Sequence, residues 1–307
     1  MNGKIVILGV FVADTAYRAD RPPRMGETIM GNSFKLGPGG KGSNQSVAAA
    51  RAGGDVHMIT RLGVDDFADM ALKTWSEAGV TPEVTRDPES YTGAAYIFIE
   101  EASGNNAIIV APGAALGISV ADIEAHESLI GGAAVFVTQF EQPMDAALRA
   151  LQIAHAGGAK TILNPAPAAA VPDGMLGLCD FVTPNESEAE GLTGIPVVTA
   201  EDAAKAADAM LAQGVGAAVI TLGGNGAFYK DASTAVHVPI FDAGPVVETT
   251  GAGDAFNGAF ATALAEGMDP VEAVRFGSAA AGISVTRPGT APAMASRAEI
   301  EALLAKG

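Results

Sequence analysis

Short aliphatic and β-branched runs alternate with alanine-rich stretches of helical period along most of this chain. That alternation narrows the fold more than any single motif does. Residues 4–8, 56–60, 133–138, 161–163, 181–182 and 217–221 read as strands. Residues 42–52, 66–77, 144–156, 185–192, 200–213, 255–265, 270–285 and 296–304 read as helices. Gly53-Gly54 is a C-cap signal, and Thr199 and Ser296 stand where N-caps belong. Strand and helix in turn specify a mostly parallel sheet with helices on both faces. Two regions break the rhythm. Residues 14–36 have no helical period, and 92–99 with 107–110 form a strand pair around the turn Ser103-Gly104-Asn105-Asn106. Both suit a small β-layer built from insertions beside the main sheet.

The chain has 307 residues, 49% hydrophobic and 17% charged, a globular composition with room for one large domain or two small ones. Its apolar runs are too short and too broken for a bilayer span, and the first of them reads as a buried strand rather than a signal peptide. The one cysteine, Cys179, rules out an intrachain disulfide and lies in an apolar run as a structural thiol. These points favour the cytoplasm. A formal charge of −17 with no run of Lys or Arg excludes nucleic acid and anionic membrane as partners. Any phosphate site must therefore be local, made of backbone N–H groups, a helix N-terminus, a metal or a few placed cations.

Two glycine motifs carry the chemistry. Gly37-Pro38-Gly39-Gly40-Lys41-Gly42 matches GxGxxG, but the next strand ends at Thr60-Arg61 with no acid for a ribose, against a dinucleotide site. A glycine turn does not explain Lys41, Ser43 and Asn44 crowded at the helix start, where polar groups line a cleft better than they pack a core. Thr249-Thr250-Gly251-Ala252-Gly253-Asp254 runs straight into a helix. Its N–H groups favour an anion, and a carboxylate beside an anion suits a base in phosphoryl transfer. On local sequence alone, Asp254 as a plain helix-start acid stays equally open. Walker A and the protein-kinase signatures are absent from the sequence.

Five motifs in order decide more. Residues 39–53 read GGKGSNQSVAAARAG, 164–168 NPAPA, 183–190 TPNESEAE, 220–227 ITLGGNGA and 248–259 ETTGAGDAFNGA. Together they resemble the ribokinase family of carbohydrate kinases, over essentially the whole chain. The resemblance implies a doubly wound α/β kinase domain across 1–307, with a small β-sheet lid from about 12–38 and 91–111 and a homodimer through that lid. It implies ATP-dependent phosphorylation of a hydroxyl of a small sugar, D-ribose leading, with Asp254 as catalytic base. Gly251, Ala252 and Gly253 match the anion hole. Asp14, Gly40, Lys41, Asn44 and Glu141 match sugar contacts. Asn185, Thr221, Gly223, Gly226 and Ser278 match nucleotide contacts. Glu188 matches a position tied to Mg²⁺ through water, and Glu248, Thr250, Ser284, Arg287 and Gly289 match a site for K⁺.

The sequence departs from the pattern at three places. Val12 stands where ribokinases usually have Asn, Glu248 where the cation-site acid is usually Asp, and Ala293 where a Ser often helps that site. Other readings are a same-fold kinase for another pentose, a deoxysugar, a nucleoside or a keto-sugar acid, and a sugar-sensing protein on a kinase fold. His57, His126, His155 and His237 show no metal-ligand spacing. Glu27 belongs to the lid surface and Trp75 to helix packing.

Overall fold

The structure, a computed structural model, describes residues 3–306. The strands are β1 (Lys4–Leu8), β2 (Val12–Ala19), β3 (Ser33–Gly39), β4 (Asp55–Leu62), β5 (Thr81–Arg86), β6 (Thr92–Glu100), β7 (Asn106–Gly113), β8 (Val135–Thr138), β9 (Lys160–Leu163), β10 (Phe181–Val182), β11 (Ala217–Thr221), β12 (Ala227–Lys230) and β13 (Ala235–Val238). The helices are α1 (Lys41–Arg51), α2 (Asp66–Ala78), α3 (Val120–Ala125), α4 (Glu127–Gly131), α5 (Met144–Gly157), α6 (Glu186–Thr193), α7 (Ala200–Leu211), α8 (Ala252–Ala265), α9 (Pro270–Ser284) and α10 (Arg297–Leu304).

Nine strands make one sheet in the order β13-β12-β11-β10-β9-β8-β1-β4-β5. All neighbours are parallel from β5 to β11, and β12 and β13 join antiparallel. The chain enters at β1, runs to one side through β4 and β5, then returns to β8 on the other flank of β1. This is the doubly wound α/β fold, and its switch point lies between β4 and β8 around β1. Successive β1 side chains point to opposite faces. Ile5 and Ile7 share a buried cluster with Val47 of α1, Phe256 and Phe260 of α8 and Phe276 of α9. Val6 and Leu8 join the other cluster, with Leu151 of α5 and Met210 of α7. Every β1 residue after Lys4 is buried, as a central strand covered on both faces requires.

A second, four-stranded sheet runs β3-β2-β6-β7, with β2 and β6 parallel and the outer pairs antiparallel. It is assembled from the two regions that break the helical rhythm. Glu27 lies there and pairs with Arg21, while Trp75 is buried and packs edge-on against Phe11.

The periodic helices stand where the sequence places them, to within a few residues at their ends. The largest change at a helix start is at α8, which begins at Ala252, three residues earlier than the apolar period, because Gly251 at φ 82° supplies the entry. Strands β5, β12 and β13 and helices α3 and α4 carry no sequence expectation. The β5 segment contains Pro82 and four charged or hydroxyl side chains, which a central strand would reject. At the sheet edge the missing N–H of Pro82 costs little.

Candidate active site

The first turns of α1 and α8 meet beyond the carboxyl ends of the central strands. Glycine makes the meeting possible. Gly40 enters α1 at φ 89°, and a Cβ there would lie 2.5 Å from the Val10 carbonyl oxygen. Gly42 presses against Gly9, where a Cβ would sit 2.7 Å from the Gly9 Cα. A Cβ on Gly258 would collide with the Gln45 carbonyl, so α8 crosses α1 closely only because that position is glycine. The crossing brings Asn44 and Gln45 to Asp254, one turn before Gly258.

Asp254 is 6% exposed, and both its oxygens are held. Asn44 Nδ2 donates to Oδ2 at 3.0 Å and Gln45 Nε2 to Oδ1 at 3.1 Å. Burial pushes its pKa above the ordinary carboxylate range, while Lys41 and these two amides oppose that shift. Gly251 and Gly253 line the same cleft, of about 140 Å³. Ala252 does not line it, and its N–H donates to the Thr249 carbonyl at 3.2 Å. Of the three expected anion-hole positions, the two glycines therefore face the cleft.

Three sequence-expected sugar positions share one electrostatic field with Asp254. Asp14 on β2 lies over Gly39 of the neighbouring β3, where any Cβ would strike its carboxylate. Burial, then Asp254 and Glu248, push Asp14 up to about 6. Glu141 follows β8 and accepts the Lys41 backbone N–H at 2.8 Å. Burial pushes Glu141 up to about 7 against the pull of Lys41. Burial also works against the Lys41 ammonium, but Asp254, Glu141 and Glu188 outweigh it and hold Lys41 above its usual range. One ammonium thus serves three carboxylates from three separate elements.

On the other wall stand Asn185, Glu188 and Thr221. Asn185 and Glu188 form a reciprocal capping box at the start of α6, with each backbone N–H donating to the other's side chain at 2.9 Å. Asn185 also bridges β11 at Thr221. Burial raises the Glu188 carboxyl, opposed by the Asn185 N–H and Lys41. Gly223 and Gly226, at φ 51° and 90°, turn the chain from β11 into β12. Ser278 is buried on α9. These three do not line the cleft itself.

The expected monovalent-cation residues cluster less tightly. Glu248 Oε2 accepts the Gly289 N–H at 2.8 Å. Ser284 Oγ donates to the Ala281 carbonyl at 2.8 Å, Arg287 pairs with Glu299, and Thr250 is exposed. Among the described residues no group of three or more His, Cys, Asp or Glu could hold a metal. Glu188, which lines the cleft together with Asp254, nevertheless suits Mg²⁺ arriving with a triphosphate, because that ion keeps waters and phosphate oxygens as its other ligands.

Five polar residues of the site received no role in the sequence reading, although four of them, all but Gln139, lie within its motifs. They are Gln45, Gln139, Asn164, Thr183 and Asn257, all buried and mutually hydrogen-bonded around Asp254. A signal existed for Asn257, an amide on a helix otherwise rich in Ala, Gly and Phe, since a buried amide needs partners.

The pfkB family carbohydrate kinase pattern matches residues 2–297. A ribokinase of Haemophilus influenzae is 37% identical over 300 residues, covering 97% of each chain. A deoxyribokinase of Salmonella typhimurium is 35% identical over 288 residues, covering 93% of this chain and 94% of its own. The structure of Arabidopsis thaliana ribokinase complexed with ribose and ATP superposes with a TM-score of 0.93 at 30% identity, covering 99% of both chains. With that pattern spanning nearly the whole chain, and with its motifs converging on one cleft, this chain belongs to the pfkB family of carbohydrate kinases and is an ATP-dependent sugar kinase.

Proposed function

We propose that this kinase transfers the γ-phosphoryl group of ATP to the primary hydroxyl of a small sugar, with D-ribose the first candidate. One observation carries this reading: a buried carboxylate, Asp254, held by two amide donors beside the glycine start of a helix. The sugar oxygen attacks the γ-phosphorus and its proton passes to Asp254. The bond to the bridging oxygen breaks, and its electron pair leaves with ADP. Gly251 and Gly253 place helix-start amides toward the transferring charge, while Ala252, the third expected position, spends its N–H on the Thr249 carbonyl. Asp14, Gly40, Lys41, Asn44 and Glu141 surround the sugar. Asn185, Thr221, Gly223, Gly226 and Ser278 lie toward the nucleotide. Mg²⁺ bound with ATP neutralises triphosphate charge, and Glu188 would hold it through water. The ribokinase relatives, one of them complexed with ribose and ATP, support this reading. Asp254→Asn should lower kcat by several orders of magnitude with little change in KM, and near-normal turnover in a folded variant would falsify it.

The same reading makes 1–307 one kinase domain, with β2, β3, β6 and β7 as a lid over the sugar and a homodimer joined through it. Exposed Tyr17, Phe34 and Ile109 on that sheet support the dimer. The single buried cysteine and the lack, among the described residues, of a helix able to cross a membrane agree with a cytoplasmic enzyme. We place K⁺ near Glu248, Thr250, Ser284, Arg287 and Gly289. Equal rates in sodium, potassium and a bulky organic cation at fixed ionic strength would remove it.

A second reading, a deoxysugar substrate, rests on Val12. It is 6% exposed on β2, two residues before Asp14 and so on the same face. An isopropyl group there leaves a facing sugar hydroxyl unpaired, and the deoxyribokinase relative supports this alternative.

A further inference from the structure

Gln45 stands at the centre of a buried relay and meets three partners from three other segments of the chain. Its Nε2 donates to Asp254 Oδ1 at 3.1 Å and to Asn164 Oδ1 at 3.1 Å. Its Oε1 accepts from Gln139 Nε2 at 2.6 Å. Both N–H bonds and the carbonyl of this one amide are therefore engaged, and Gln45 itself is fully buried. The partners are anchored in turn. Asn164, just past β9, donates to the Thr183 carbonyl at 2.9 Å. Thr183 Oγ1 donates to Asn257 Oδ1 at 2.6 Å, and Asn257 Nδ2 donates to the Gly253 carbonyl at 2.8 Å. The relay thus closes on the peptide that carries Asp254.

We propose that Gln45 is a positioning residue for phosphoryl transfer, its amide locked by Gln139 and Asn164 so that it can present only a donor to Asp254. Rotating the amide to offer its oxygen would break both anchoring bonds and face one acceptor with another. An ionised carboxylate is an acceptor only, so the locked donor favours the form of Asp254 able to take a proton and holds its plane toward the cleft. Gln45 is not among the residues lining that cleft, so it acts through Asp254 and not on the sugar. This proposal rests on Asp254 being the base.

The charged groups around Asp254 are Lys41 from α1, Asp14 from β2, Glu141 after β8 and Glu188 from α6. None of them hydrogen-bonds Gln45, so a substitution there leaves their own contacts in place.

The test compares wild type, Gln45→Met, Gln45→Glu and Gln139→Met by steady-state kinetics with ribose and ATP across pH, alongside thermal melting. Gln45→Met should lower kcat about tenfold to a hundredfold at neutral pH with both KM values within about threefold, the loss expected for one charge-assisted hydrogen bond. The acidic limb of kcat should move to higher pH, and further in Gln45→Glu, which sets a second acid against Asp254. Gln139→Met should shift the limb in the same direction by less, and it serves if Gln45→Met does not fold. A lowered melting temperature with kcat and the acidic limb unmoved in the variants that fold would overturn the proposal and leave Gln45 a packing residue. Turnover surviving Asp254→Asn would instead overturn the reading beneath it.

Discussion

Single residues set the chemistry by where their charge sits. Asp14, Glu141 and Asp254 all hold their protons more tightly in the fold than in the unfolded chain, Asp14 to about 6 and Glu141 to about 7. From the ordinary carboxylate value near 4 up to about 7 the native state therefore binds more protons than the unfolded one, so these groups make stability fall as pH rises. The ligand-free enzyme should lose melting temperature between pH 5 and pH 8, and Glu141→Gln should flatten that slope. An unchanged slope in Glu141→Gln would show that Glu141 titrates normally. Val12 belongs to the same scale. A buried hydroxyl without a partner costs about 1–3 kcal/mol, roughly 5- to 150-fold in affinity. Val12→Asn should thus raise kcat/KM for ribose relative to 2-deoxyribose by a factor in that range. An unmoved ratio in paired assays of the two sugars would show that Val12 does not set specificity.

At the scale of elements, one local device serves two ends. The capping box of α6 satisfies helix-start N–H groups and at the same time fixes Asn185 and Glu188 on the cleft wall. Glutamine also serves at the third position of a capping box. Glu188→Gln should therefore keep the melting temperature within a few degrees while lowering kcat and raising the Mg²⁺ concentration needed for half-maximal rate. A Mg²⁺ titration that superposes on wild type would remove Glu188 from the site. The glycine contacts are the matching device for α1 and α8. Local sequence suggested a glycine turn at Gly40, but its reason is the Val10 carbonyl from another element.

For the whole molecule, the second sheet is the part with an unfinished surface. Ile109 on β7 is more than half exposed and stands opposite Tyr96, and Tyr17 packs between Phe34 and Tyr96 with ring centroids 5.0 and 5.5 Å away. Apolar side chains gathered on one sheet face mark an interaction surface. Ile109→Glu should convert the proposed dimer to monomer in sedimentation velocity, with a smaller loss of melting temperature than a core substitution causes. A wild type already monomeric at assay concentration would end that proposal.

Much of this was legible without coordinates, and the boundary is a physical one. The alternation of buried strands and amphipathic helices and the caps at Thr199 and Ser296 follow from local periodicity and backbone freedom, so the sequence alone determined the fold class, while Asp254 became the candidate base only through the resemblance its five motifs carry together. What only the tertiary structure decided are pairings between distant residues. Gln45 meets Asp254 and Gln139 because strand order and the close crossing of α1 over α8 bring them together. Strands β5, β12 and β13, at the two ends of the main sheet, were invisible for a related reason. Their short, polar or Pro-containing runs become strands only when a finished neighbour offers its unpaired backbone groups.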